Sequence, residues 1–147
     1  MSFDSISEYL SWDHDRLDAI LVEVVGLVDR SDFTAARVAH APFDEGLRRH
    51  IRIEEEILFP LFERKTGMTR GPTTVMREEH RIIQAALDRM KEALAAGEEP
   101  AFRAALATLE ATLPPHNVKE EHVVYPMTDD ALAPEERAEV TARLVAA

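Results

Sequence analysis

The amino-acid sequence predicts an all-α protein, an up-and-down antiparallel four-helix bundle with a short C-terminal fifth helix. Three observations lead there. Apolar residues recur at helical spacing through long segments, capping and breaking residues fall between those segments, and the chain repeats itself. The repeat sets His50-Ile-Arg-Ile-Glu54-Glu55-Glu56-Ile-Leu-Phe59-Pro60 against His116-Asn-Val-Lys-Glu120-Glu121-His-Val-Val-Tyr125-Pro126. Both stretches read H-x-x-x-E-E-x-x-x-[FY]-P, and each shared residue lies 66 positions from its counterpart. His14 and His80 stand the same 66 positions apart. Four of the six histidines thus belong to one duplication, and residues repeated in both halves are expected where the halves meet.

Taken in order, Ser5 and Glu8 form a capping box, and Ile6, Leu10, Leu17, Ile20, Leu21, Val24, Val25 and Val28 keep a helical period to about Arg30. Ser31 or Asp32 caps a second helix that runs to about Lys65 and closes at Gly67. Pro42 and Pro60 interrupt it, and Pro42 is expected to kink or break it, because proline removes an interior hydrogen bond. Gly71-Pro72-Thr73-Thr74 opens a third helix that carries His80 two turns in and ends at Gly97. A fourth runs from about Pro100 to Met127, with a bend expected at Pro114-Pro115 just before His116. Pro134 fits a first-turn position, and Glu135 to Val145 makes the fifth helix, expected outside the main bundle. No segment reads as a strand.

Composition narrows the class. A chain of 147 residues, 46% hydrophobic, has the size of one domain spanning 1–147 and can bury a core without crosslinks. A formal charge of −11 argues against nucleic acid and anionic membrane surfaces as partners. With no cysteine there is no disulfide, thiolate site or cysteine nucleophile, so any metal must take nitrogen and oxygen ligands. The first residues lack a basic, apolar leader pattern and no later segment suits a membrane span, so a soluble, cytoplasmic protein is expected.

Residue counts to the nearest turns bring the four histidines to one layer. His14 lies 16 residues before Arg30 and His50 lies 19 after Ser31, while His80 lies 17 before Gly97 and His116 lies 18 after Glu98. Glu54 and Glu120 follow their histidines at i+4, on the same helix face. Taken singly, such pairs are surface ion pairs, and Glu54-Glu55-Glu56 is a solvated face. Repetition at one offset changes that reading, because two buried carboxylates together are costly unless they share cations. His14, His50, Glu54, His80, His116 and Glu120 therefore read as a metal site. Four imidazoles and two carboxylates suit iron, zinc or manganese better than calcium or magnesium. They divide naturally between two ions, each holding two histidines, with Glu54 and Glu120 bridging. Glu54 and Glu120 should then matter more for metal than Glu55 and Glu121, which lie off that register.

At these residues the chain resembles the hemerythrin family, specifically hemerythrin-like domains with the cation-binding pattern H…HxxxE…H…HxxxE. The resemblance runs roughly from Ile6 to Asp129 and includes the endings Leu58-Phe59-Pro60 and Val124-Tyr125-Pro126. It implies a single hemerythrin-like bundle with two irons joined by an oxo or hydroxo group. In it His14, His50, His80 and His116 are terminal ligands, and Glu54 and Glu120 are bridges. Oxygen-carrying relatives have a further histidine four residues after the third-helix ligand, where this chain has Gln84, and an aspartate five beyond the last ligand histidine, where Glu120 here is four beyond. One nitrogen fewer leaves both irons an open position, which favours reaction or sensing over oxygen storage. The implied function is binding of dioxygen, nitric oxide or peroxide, in sensing or in oxidative and nitrosative stress response. Two alternatives stand beside it: an enzyme for peroxide dismutation or iron-centre repair, and an interaction module with structural zinc. His40 and His122 lack partners at the 66 offset and read as peripheral to the ligands or on the surface, His122 being the better substitute ligand.

Overall fold

A computed structural model describes residues 2–147; Met1 lies outside them. The described residues are helical with no strand, and form a helical bundle. Helix α1 spans Ile6–Asp29, and α2 spans Phe33–Ile53. A five-residue π-helical turn, Glu54–Leu58, joins α2 to α3, Phe59–Thr66. Helix α4 spans Pro72–Ala96 and α5 spans Glu99–Lys119. A second π turn, Glu120–Val124, leads into α6, Tyr125–Asp130, and α7 spans Pro134–Ala146.

The helix ends follow local chemistry. Ser5 Oγ accepts from the Glu8 N–H at 3.0 Å, and Asp32, rather than Ser31, caps α2 by accepting from the Ala35 N–H at 3.1 Å. Gly67 and Gly97 end α3 and α4 at φ 73° and 68°, a left-handed conformation open to glycine at little cost. The starts of α1 and α4 are docked in matching ways. Asp129 accepts from Ile6 N–H, Ser7 N–H and Ser7 Oγ at 3.0, 3.0 and 2.7 Å, and Glu63 accepts from Thr73 Oγ1 at 2.6 Å and from Arg77. Both pairs, Ser7 with Thr73 and Glu63 with Asp129, keep the 66-residue offset. Asp129→Ala should therefore destabilise the chain by about 2 kcal/mol, as the loss of an N-terminal cap does at the upper end of its range, measured as a lower urea midpoint at unchanged slope.

The break expected at Pro42 as the alternative to a kink does not occur. Helix α2 runs unbroken through Pro42, and α5 through Pro114 and Pro115. Each proline removes one donor, but Pro42, Pro114 and Pro115 are exposed, as are Val38, Glu110 and Ala111, whose carbonyls lose the partner, so water can take those bonds. The helices are interrupted at the two glutamates, the first interruption ending just before Pro60, where one was expected. In each π turn the amide five residues on bonds the glutamate carbonyl, Phe59 N–H to Glu54 and Tyr125 N–H to Glu120. Pro60 and Pro126 come immediately after. A proline there cannot bond the carbonyl four residues back and crowds it, and the wider turn relieves that crowding.

Packing is densest between α4 and α5 and between α1 and α2. At the α1–α2 contact a Cβ on Gly46 would lie 2.7 Å from Leu17 Cδ2, so any larger residue one turn before His50 would force the Leu17 side chain to shift. Two apolar clusters result. One gathers Leu17, Val24, Phe43, Leu47, Ile51, Ile83, Leu87, Phe102, Leu109 and Leu113, the other Ile6, Leu10, Ile53, Phe59, Phe62, Met76, Val124, Val140 and Leu144. Helix α7 lies against α1 and contributes Val140 and Leu144 to the second cluster, while Arg49 holds the Leu144 and Val145 carbonyls at 2.9 and 3.1 Å. Among the described residues no helix is long and apolar enough to cross a membrane.

Candidate metal centre

Between the two clusters lies one polar layer. His14 falls between Leu10 and Leu17, His50 between Leu47 and Ile53, His80 between Met76 and Ile83, and His116 between Leu113 and Val124. In each case one neighbour belongs to one cluster and the second to the other. Helical periodicity turns all four imidazoles inward, and His14, His50, Glu54, His80, His116 and Glu120 are 0–3% exposed. All six sequence-predicted residues are brought together.

They form two groups. Ligand atoms of His14, His50, Glu54 and Glu120 lie within 4.8 Å of one another, and so do those of Glu54, His80, His116 and Glu120. Both carboxylates belong to both groups. Glu54 turns Oε2 to His50 Nε2 at 3.2 Å and Oε1 to His80 Nε2 at 3.1 Å. Glu120 turns Oε1 to His14 Nε2 at 3.3 Å and Oε2 to His116 Nε2 at 3.3 Å. Imidazole nitrogen with carboxylate oxygen is a donor set for a borderline cation. Three of the inward atoms, Glu54 Oε1, His80 Nε2 and Glu120 Oε2, are buried without a hydrogen-bond partner. Buried ligand atoms left without a properly formed hydrogen bond are what a bound cation satisfies, so the residues fit a metal.

The outward nitrogens are held by acids. His14 Nδ1 lies 2.6 Å from Glu121 and His80 Nδ1 2.6 Å from Glu55, while His50 Nδ1 lies 2.9 Å from Asp13 and His116 Nδ1 3.0 Å from Glu79. An acid on Nδ1 fixes the ring's orientation and leaves the Nε2 lone pair for the cation. Sequence reasoning missed these four. It treated Glu55 and Glu121 as residues off the ligand register, and it passed over Asp13 and Glu79. The signal was present, because Asp13 to Glu79 and Glu55 to Glu121 both span the same 66 positions. Neutralising any one, as in Glu55→Gln or Asp13→Asn, should weaken metal affinity by about 10- to 100-fold without abolishing the site, readable by competition with a chelator of known affinity.

Tyr125 was also missed, having been read only as part of an aromatic-proline ending. The π turn carries it back over Glu120, and its hydroxyl lies 2.5 Å from Glu54 Oε2, 3.0 Å from Glu120 Oε1, and 3.2 Å from both His14 Nε2 and His50 Nε2. A phenol has one proton to donate, and the shortest contact assigns it to Glu54. Burial, then the charges of Glu120 and Glu54, push this phenol well above its usual range. The remaining histidines lie elsewhere. His122 is exposed and is no substitute ligand. His40 is neither peripheral to the ligands nor on the surface: it is buried beside Phe43, lines a separate cavity with Arg37, Asp44 and Lys91, and has a pKa lowered by that burial.

Electrostatics accord with a site built for positive charge. Burial alone would lower the pKa of His50, but the charge of Glu54, the hydrogen bonds His50 donates to Asp13 and Glu54 and the charge of Glu120 raise it to about 10. Burial likewise opposes the rise at His80, where Glu54 and Glu120 prevail, and at His116, where Glu120, Glu54 and Glu79 do. Glu54 is held well below the usual carboxylate range, burial being outweighed by His50 and His80.

A helical bundle with two buried His/Glu groups that share both carboxylates has the makings of a metal-binding protein. The family model of the hemerythrin HHE cation binding domain matches residues 5–128, and the chain belongs to that family. No match was found among curated proteins or among solved structures.

Proposed function

We propose that residues 1–147 form a single hemerythrin-like domain whose site holds two irons and binds dioxygen, nitric oxide or peroxide, in sensing or in oxidative and nitrosative stress response. The terminal ligands are His14, His50, His80 and His116, and the bridges are Glu54 and Glu120. One observation carries the reading: each carboxylate gives one oxygen to each group, so the six side chains divide between two cations with none left over. An up-and-down antiparallel course of the helices is part of this reading, and the connections support it. Only Arg30–Asp32 separates α1 from α2 and only Gly97–Glu98 separates α4 from α5, and helices joined so briefly pack as antiparallel neighbours.

Iron would supply redox change and open coordination positions for a small ligand. The chain itself orients four imidazoles through Asp13, Glu55, Glu79 and Glu121, and excludes bulk water with an apolar cluster on either side of the layer. The test is metal analysis of protein loaded with ferrous iron and, separately, with zinc. About two irons per chain are expected. One zinc and no iron under both oxidising and reducing conditions would overturn the reading in favour of a structural ion.

A further inference from the structure

The duplication that builds the centre breaks at one position inside it. At offset 66, Tyr125 corresponds to Phe59. Both follow a π turn and both are fully buried, yet they do different things. Phe59 stacks on His80, with ring centroids 5.5 Å apart and planes 16° apart, and offers no polar atom. Tyr125 places its hydroxyl between His14, His50, Glu54 and Glu120, within 3.2 Å of all four.

The unsatisfied atoms follow the same division. All three orphaned atoms of the centre, Glu54 Oε1, His80 Nε2 and Glu120 Oε2, face the His80–His116 group. On the other side Tyr125 engages Glu54 Oε2 and Glu120 Oε1 together with the inward nitrogens of His14 and His50. The sequence alone leaves both ions an open position. The structure assigns those positions unequally. We propose that Tyr125 fills the open position on the His14–His50 side with its phenol oxygen, so that a small exogenous ligand is admitted only on the His80–His116 side. Phe59 walls that side and leaves it free.

This rests on the di-iron reading, and azide on the diferric protein tests it. Azide replaces a water or an empty position, and no electrons are exchanged. After iron content has been measured, about one azide should bind per chain of the unaltered protein, followed by azide-to-iron charge-transfer absorption. Tyr125→Phe should admit about two, and Phe59→Tyr should bring the number toward none. Binding through oxygen releases the Tyr125 proton to solvent, and resonance Raman provides a second readout: tyrosinate modes enhanced through a visible charge-transfer band in the unaltered protein, lost in Tyr125→Phe. Two azides on the unaltered protein, or an unchanged single azide on a Tyr125→Phe protein that still holds two irons, overturns the proposal. Failure of the unaltered protein to take two irons overturns the di-iron reading and this proposal with it. Two irons with the wrong azide count overturns this proposal alone. Tyr125→Phe removes a single oxygen, so the unaltered protein and this variant decide the matter even where Phe59→Tyr is too large for its buried place.

Discussion

Glu54→Ala is expected to empty both cation positions at once, because the two oxygens of this carboxylate face different histidine groups. Iron content should fall from about two per chain to below one, and Glu120→Ala should do the same from the opposite side. Glu55→Ala and Glu121→Ala should lower affinity yet still load at high metal. The alanine variant also leaves His50 and His80 without their shared buried counter-charge, and breaking a buried pair costs about 3–5 kcal/mol. Glu54→Gln separates the two effects, since it keeps the shape and removes the bridging charge. The measurements are metal content by elemental analysis and a chemical melt of each variant with and without metal. Equal metal loss from all four glutamate positions would show that the inward and outward acids have been assigned wrongly.

The second large effect is on pH. With no cation bound, His50 is raised to about 10, and His80 and His116 are raised as well. Their contribution to folding is fully present below about 6.5, the unfolded value for an imidazole, and is lost as pH rises through the folded values. Glu54 is lowered, so its contribution is present above its ordinary value of 4.5 and is lost only as pH falls through the folded value. The metal-stripped chain is therefore best stabilised by this layer between roughly pH 4.5 and 6.5. Cations need these imidazoles neutral, so each proton displaced costs about tenfold in affinity per pH unit. Thermal melts of loaded and stripped protein should lie far apart near pH 8 and converge toward pH 5. A separation that stays constant over this range would mean that the histidines are not the ligands.

Much of this was legible in the sequence, for identifiable reasons. Helix ends declare themselves through side chains that cap or break, so Ser5, Asp32, Gly67, Gly97 and Pro134 sit at or beside the observed limits. The six inward residues were legible because a fixed offset rejects coincidence. The π turns were not, since side-chain periodicity reports which face is apolar but does not report which carbonyl an amide chooses. Of the prolines, Pro60 does adjoin an interruption, whereas Pro42, Pro114 and Pro115 break no helix, because a lost bond matters where water cannot replace it, and their exposure is a tertiary fact. The acids behind the histidines act across helices, from Glu121 to His14 or from Glu55 to His80, a contact that no local window contains.

The alternation of neighbours along the helices bears on cooperativity. Each of the four histidines separates side chains of one apolar cluster from side chains of the other, so the polar layer is the seam between two half-cores. Cations held in that seam would tie the half-cores together, and the loaded chain is then expected to melt as one unit. Stripped, the layer is held only by paired charges, and the half-cores are expected to open separately, as foldons do. The number of steps in unfolding would then depend on what fills a layer a single side chain thick.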